Sequence, residues 1–578
     1  MKLVFDTENL SGGINLPKIE AKKAKASVVA VGEDSFMTSP IAICVADGVS
    51  GQNKKLSSRY MSQWVTLGFL ENSIAIFNAM SKSPATLETF HKKVIAKYKE
   101  VMRSLSSLAE QLMPVHFPGQ ELNEDMKLSI DSPTTAVGAM LIQRGKSTYM
   151  MISQLGDSSM IVLRKKLASS APKRSYFHMI YVSPENESGY LLPYQIGFMI
   201  ENEDDMAHMV KDEFEVKESD VVLMGSDGVF DNLYPGFIAM IINTMAAYPG
   251  SKTEESEKVA ELTKKYKILS DVLVQVATAK LEFVKSVYKE KKQYLPCEEN
   301  EFEKPQENSA FFVQAESPEK LNLNRKISKK PRDKATDKFG PKVDGWMEEA
   351  LSKLAEAGIS VTNSEKALWM AYFKCPIHQL VSSDYSGKQG DNASSDCLTQ
   401  VLKEHLEMSE FLAQIFLNEM KPAARSKVIA NVARYLSQKK GWPSGLNMSA
   451  WSNERESGSL GGKGDDITAI VTSVKAISKD LTSAELDTVV QKFGNMKTEL
   501  TERFKMDFKM FSEVKKFEMT IPEDQFDPDL TTNNPGGIKD KAYMEELRPK
   551  YLPELKAALG FDPNTSWVLF EELRYLVI

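Results

Sequence analysis

The chain has 578 residues, is 42% hydrophobic and 26% charged, and carries 72 Lys plus Arg against 79 Asp plus Glu, a net charge of −7. That length can bury a large core and predicts more than one domain or a sizeable insertion. The mild acidity argues against a general nucleic-acid binder and a basic membrane-surface protein, and the balanced composition against a fibrous or wholly disordered chain.

Four cysteines in this length cannot form a disulfide framework. Cys375-Pro-Ile-His378 has the look of half a zinc site, with Cys397 downstream. Without a second closely spaced ligand pair, a buried thiol and a surface histidine are the simpler reading. No apolar run approaches the roughly 18 residues of a membrane span. The N-terminal "MKLVFDTENLSGG" has neither the basic n-region and long h-region of a signal peptide nor an Arg-rich transit character. The expectation is a cytoplasmic protein, with the nucleus as the alternative and secretion excluded.

In chain order, residues 28–45 read as β: "SVVAVGEDSF" and "IAICVADG" are short strands joined as a hairpin through Met37-Thr-Ser-Pro40. Helical stretches are expected over residues 54–80 and 84–112. The second places Leu87, Phe90, Val94, Val101, Leu105 and Leu108 at three- and four-residue spacings, which predicts a core face. Strand character returns in "TTAVGAMLIQRG", "YMMISQLGDSSMIVLRK", "FHMIYVSP" and "DVVLMGSDGVFDNL", and far downstream in "DDITAIVTSV". Scattered strands with helices between them predict a mixed α+β domain, not regular βαβ alternation.

From residue 245 to 421 the character changes. Val259, Leu262, Tyr266, Leu269, Leu273, Val276 and Val287 predict a long amphipathic helix with lysine-rich other faces. Residues 297–342 are polar and rich in Glu, Lys, Asn and Pro, and read as a loop or disordered segment. Its "NRKISKKPRDK" reads as solvated linker, with a nuclear signal or a kinase site at Ser328 as the alternative. Helix is expected again over residues 343–436. Beyond Val474, a helix with Met496, Leu500, Phe504, Phe508, Phe511 and Val514 on one face has to pack on this chain or on a partner.

One pattern crosses these elements: strand ends that carry acids. Glu33-Asp34 sit in a strand or its turn, and Asp47-Gly48 end one. Gly156-Asp157 lie between two strands, Asp227-Gly228 and Asp231 follow another, and Asp465-Asp466 precede the last. Each dipeptide alone is an ordinary turn signal. Brought together, such carboxylates could not all stay ionised without cations. Hard oxygen ligands select Mg²⁺ or Mn²⁺ over Zn²⁺, and two such ions can activate water and neutralise phosphate oxygens.

The stretches "GEDSF", "VADGVSG", "SPTTAVGAMLI", "QLGDSSMIVLR", "DVVLMGSDGVFDNL" and "GGKGDDITAIV", in that order, resemble the metal-dependent type 2C protein serine/threonine phosphatases. "ADGVSG", "LLPYQIGF" and "GWPSGLNM" look most like the branch with ADGVGG and DDITV motifs. The resemblance covers residues 28–245 and 423–475. It implies an α+β fold, a two-sheet β-sandwich flanked by helices in α/β/β/α layers. The phosphatase-like part would then span 1–245 and 423–475, interrupted by a mostly helical insertion at 246–422 and followed by a helical C-terminal extension at 476–578.

Carried over by motif position, the resemblance implies that Asp47 bridges two Mg²⁺ or Mn²⁺ ions and that the Gly48 carbonyl binds one of them. Asp227 and Asp465 complete the other ion's shell, Glu33 acts through water, and Asp34 supports the water network. Asp157 and Asp231 match positions that hold a third ion in some members. Asp466, beside Asp465, is the alternative last ligand. Thr134 and Thr135 match a small-residue strand start, read as packing. The implied reaction is direct attack of a metal-bridging water on the phosphorus of phosphoserine or phosphothreonine in a phosphoprotein, so Cys44 is read as a core cysteine.

Two positions depart from many members. Val29 stands where a phosphate-gripping arginine is common, and Val49 where a histidine follows the Asp-Gly; the ADGV branch lacks both as well. Lys25, Lys54 and Lys55 are nearby cations, each a solvated lysine by default. The functional expectation is an active phosphatase. The alternative is a catalytically weak or inactive scaffold that binds a protein partner through its insertion or C-terminal helices. Neither nucleic acid nor a membrane span is expected.

Overall fold

The structure is a computed structural model. It describes residues 3–6, 14–16, 33–49, 59–79, 86–119, 133–168, 171–184, 186–189, 192–197, 203–233, 235–246, 340–358, 424–438, 462–478 and 483–518, with the single residues 261, 264, 268 and 481. Strand sequences that are apolar at nearly every position need cover on both faces, and the chain supplies it with two stacked antiparallel sheets between helical layers.

The first sheet holds β1 (Leu3–Phe5), β2 (Ile14–Leu16), β7 (Ser159–Ala168), β8 (Ala171–Val182), β12 (Val221–Gly225) and β13 (Ile467–Ala476). Its order is β1-β13-β12-β7-β8, and β2 also pairs with β13. β1 lies along the last three residues of β13 and β2 along its first three. The second sheet holds β3 (Ser35–Thr38), β4 (Ala42–Ala46), β5 (Ala136–Arg144), β6 (Ser147–Leu155) and β11 (Val210–Val216), in the order β11-β6-β5-β4-β3. A separate ribbon pairs β9 (Glu187–Gly189) with β10 (Leu192–Pro193).

The two-residue period of a strand sorts the side chains between layers. In β4, Ile43 and Val45 face the core between the sheets, while Ala42, Cys44 and Ala46 face the helices outside. In β12, Val222 and Met224 point inward, and Val221 and Leu223 point to the opposite helical layer. Helices α1 (Arg59–Ala79) and α2 (Leu87–His116) cover the second sheet. Helices α5 (Pro235–Ala246), α6 (Gly340–Glu356) and α7 (Arg425–Ser437) cover the first. Two short helices, α3 (Glu203–Ala207) and α4 (Asp227–Phe230), sit in connections. The expected α/β/β/α sandwich is the observed architecture.

The stripe beyond Val474 finds its partner within the chain. Helix α8 (Ser483–Glu518) packs on α1 and α2, burying Leu486, Leu500, Phe504 and Phe508 in the outer core of the second sheet. Phe504 meets Tyr60 edge-on at 5.3 Å, and Phe508 meets Phe117 at 6.5 Å. Each such ring stabilises the fold by about 1.5–3 kcal/mol through burial. The side chains of Phe511 and Val514 lie outside those described.

Several elements differ from the sequence expectation. The first hairpin turns at Ser39–Ile41, later than expected, because Ser39 accepts a hydrogen bond from Ala42 N and donates one to Ala42 O. Helix α2 starts at Leu87, where the Thr86 side chain accepts from Thr89 N at 3.2 Å and caps it. It runs on to His116. Strands β1, β2 and β11 were not expected: β1 and β2 have three residues each, and β11, "KDEFEV" after its first valine, is a mostly half-buried edge. The amphipathic helix expected near Val259–Val287, apart from the single helical residues 261, 264 and 268, lies outside the described residues, as do the polar segment up to residue 339, Cys297, Cys375, His378, Cys397, Ser328 and "GWPSGLNM". Among the described residues no helix is long and apolar enough to cross a membrane.

Candidate metal centre

Antiparallel pairing delivers the acids to one end of the sandwich. β3 pairs with β4 so that Ser35 faces Ala46, and Asp34 therefore stands where β4 delivers Asp47. β5 pairs with β4 and β6 with β5, Ala136 opposite Leu155, which brings Thr134, Thr135 and the Gly156-Asp157 turn to the same end. In the other sheet β12 ends at Gly225, and α4 begins at Asp227 with only Ser226 between them. Antiparallel β13 starts there, just after Asp465-Asp466.

Backbone contacts lock this end. Thr135 N and Thr134 Oγ1 both donate to Asp47 O, at 2.9 and 2.6 Å, and Gly48 bridges Thr134. The threonines thus hold the strand end that presents Asp47, a positioning contact beyond simple packing. Glu33 N donates to Asp466 Oδ2, and Ser62 Oγ donates to Glu33 O at 2.6 Å, so the start of β3 is tied both to the opposite sheet and to α1. Gly228 accommodates a close approach: a Cβ there would stand 1.8 Å from Asp466 O. Without a side chain at Gly228, α4 can press against the start of β13.

The electrostatics are severe. Asp34, Asp47 and Asp227 are only 3%, 8% and 7% exposed. Burial, with Asp466 and Asp227 nearby, pushes the Asp34 carboxyl up to about 8. Burial and the charges of Asp227 and Asp34 raise Asp47 well above the usual carboxylate range. Burial and the charges of Asp227 and Asp231 do the same for Asp157, and burial brings Asp231 to about 7 against the pull of Lys463. Each shift has the sign that stacked, desolvated like charges produce.

Lys463 brings a positive charge into the middle of this cluster. Its Nζ pairs with Asp227 Oδ2, stands 3.0 Å from Asp231 Oδ2 and is 3.4 Å from Asp465 Oδ2. Burial works against this ammonium, and the charges of Asp231, Asp227 and Asp465 more than reverse that, holding it far above the ordinary lysine value. Asn232 fixes its backbone from both sides. Lys463 N donates to Asn232 Oδ1 at 3.1 Å, and Asn232 Nδ2 donates to Lys463 O at 3.0 Å and to Gly228 O at 2.8 Å.

The structure brings Glu33, Asp34, Asp47, Gly48, Asp157, Asp227, Asp231 and Asp465 to one end. Asp465 faces the Lys463 side, while Asp466 faces Glu33 and Asp34. Val49 donates its N–H to Pro133 O at 2.9 Å and is half-buried. Val29, Lys25, Lys54 and Lys55 lie outside the described residues. Sequence reasoning missed Lys463 and Asn232. The signal was a cation two residues before Asp465, easily taken for a solvated lysine, and an amide directly after Asp231.

The donor set is all oxygen, the chemistry of a hard divalent cation. Asp157 Oδ1 and Asp227 Oδ1 are buried without a hydrogen-bond partner, a cost that a cation would remove. The residues therefore fit Mg²⁺ or Mn²⁺ in kind. Among the described residues no three His, Cys, Asp or Glu side chains stand as a ready-made cage; three of the acids surround the lysine nitrogen instead.

No protein-family model matches the chain, and no curated protein matches it in sequence. Solved structures do. The chain is similar to the photosystem II phosphatase PBCP at 15% identity and a TM-score of 0.32, over 81% of this chain and 98% of that one. It is similar to the Mycobacterium tuberculosis serine/threonine phosphatase PstP/Ppp at 15% identity and a TM-score of 0.26, over 45% and 92%. The catalytic domain of PstP in complex with 2 manganese ions aligns at 15% identity and a TM-score of 0.25, over 45% and 91%. At these identities and TM-scores, function has to be read from the chain's own residues.

Proposed function

We propose that the chain is a metal-dependent protein serine/threonine phosphatase acting on phosphoserine and phosphothreonine in a phosphoprotein substrate. The observation that carries this is the convergence of buried carboxylates from both sheets at one end of the sandwich, with burial and the charges of Asp227 and Asp34 raising Asp47, and buried, unpartnered oxygens on Asp157 and Asp227. The ordered type 2C motifs support the same reading. Asp47, Gly48, Asp227 and Asp465 would hold two Mg²⁺ or Mn²⁺ ions, with Asp157 and Asp231 available to a third and Glu33 linked through water. When bound, such ions lower the pKa of water and neutralise phosphate charge.

The chain's own contribution is to hold these groups in register before substrate arrives. Thr134 and Thr135 fix Asp47 through its carbonyl, which leaves the carboxylate as its free arm. Asn232 ties the segment carrying Lys463 to the helix that begins with Asp227. The charges of Asp227 and Asp34 weigh on the buried Asp47 carboxyl, so these groups cannot all be charged without a cation. A rigid constellation on strand ends keeps reacting groups oriented, which is where catalysis of phosphoryl transfer is largely won.

The test is hydrolysis of phosphoserine and phosphothreonine peptides in manganese. The wild type is expected to release phosphate, and Asp47→Ala to lose at least about a thousandfold in kcat/KM, on the scale of a lost transition-state charge stabiliser. A wild type as inert as Asp47→Ala across several peptides would instead favour the scaffold reading.

A further inference from the structure

The roles given so far leave Lys463 unused, yet its placement is over-determined. Its ammonium pairs with Asp227, Asp231 and Asp465 at once. An exposed lysine pairs loosely and contributes little; this one is 37% exposed in its side chain and pinned through its backbone. Asn232 clamps its N–H and its carbonyl, and Gly462 before it fits a gap where a Cβ would stand 2.2 Å from Leu436 O. The segment is therefore held by α7 on one side and by the helix carrying Asp227 on the other.

An ammonium is an incomplete occupant of such a site. It carries one charge and three donors, and Asp227 Oδ1, on a residue 7% exposed, is left buried with no partner. A hard divalent ion takes six or more oxygen ligands and would use what the lysine leaves. The acids nevertheless do not stand as a metal cage among the described residues. Their arrangement is the one suited to a nitrogen cation already present.

We propose that the Lys463 ammonium is a tethered placeholder cation, holding Asp227, Asp231 and Asp465 together in the metal-free protein and leaving when a divalent ion binds there. This rests on reading those three acids as metal ligands. Apparent metal affinity is then reduced by the fraction of molecules in which the lysine is seated.

Two measurements on the full-length chain test it. Calorimetric manganese titration of the wild type, Lys463→Met and Lys463→Arg should show Lys463→Met binding at least about tenfold tighter, with the charge-retaining arginine variant close to the wild type. Amine acetylation of the wild type, read by mass spectrometry, should modify Lys463 several-fold faster with manganese than without, while exposed Lys93 reacts equally in both. The labelling decides the matter if Lys463→Met does not fold. Manganese binding by the wild type with no tightening in a folded Lys463→Met, or with unchanged labelling of Lys463, overturns the placeholder and leaves the metal centre standing. Absence of manganese binding in all three chains overturns both.

Discussion

Asp34 and Asp47 illustrate what it costs to bury carboxyls beside other acids. Both carboxyls are almost fully buried, and the charge of Asp34 adds to the burial that raises Asp47. Asp34 has its folded pKa raised from 3.8 to about 8, chiefly by burial. An acid raised on folding gives its full stabilising contribution at low pH and loses it as pH rises through the folded value. In chelator-treated protein, stability should therefore fall from pH 5 to pH 8. Asp34→Asn, which keeps a neutral hydrogen-bonding group, should flatten that fall. At pH 8 the variant should melt at least about 2 °C higher, the shift that roughly 1 kcal/mol produces in a domain of this size. Equal pH slopes in thermal melts of the two chains would contradict this. At this scale the acids were readable in the sequence because each follows or precedes an apolar run that can only be a buried strand. Lys463 was not, since nothing in "GGKGDD" distinguishes a seated ammonium from a solvated one.

Among the elements, the strands buried on both faces were the most legible. "IAICVA" and "DVVLMG" are apolar throughout, and such runs have nowhere to go but the middle of a layered fold. β11 escaped because an edge strand half in solvent needs no apolar alternation, and β1 and β2 escaped because three residues carry no period. Helix α8 was legible as an amphipathic stripe, but its partner was not, because a periodic face says that something covers it and not what. The structure gives that role to α1 and α2, and this has a measurable consequence. Phe504→Ala should destabilise the chain by about 3–5 kcal/mol, the range for a fully buried phenylalanine. A loss below 1 kcal/mol in denaturant unfolding would mean that α8 is not an integral part of the helical layer. Cutting the chain after Val474 removes the same contacts, so a loss of activity on truncation would first have to be separated from a loss of fold.

Seen whole, the molecule concentrates its charge conflict at one end of an otherwise apolar sandwich. Both sheets contribute, and the two ends are joined there by the Glu33–Asp466 hydrogen bond. Two layers of apolar packing, with Val162, Val222, Met224, Ile470 and Val474 facing Ile43, Val45, Val137 and Ile152, fix the distance between acids that come from sequence positions more than four hundred residues apart. On the proposed function, metal loading and catalysis would be a single event. The most direct measurement follows bound manganese and phosphate release from a phosphoserine peptide in one titration of the metal-stripped, full-length chain. Release should be absent without metal, rise in step with bound manganese, and vanish in Asp227→Asn. Phosphate release that proceeds in chelator, or manganese binding without any release from phosphoserine or phosphothreonine peptides, would contradict the assignment.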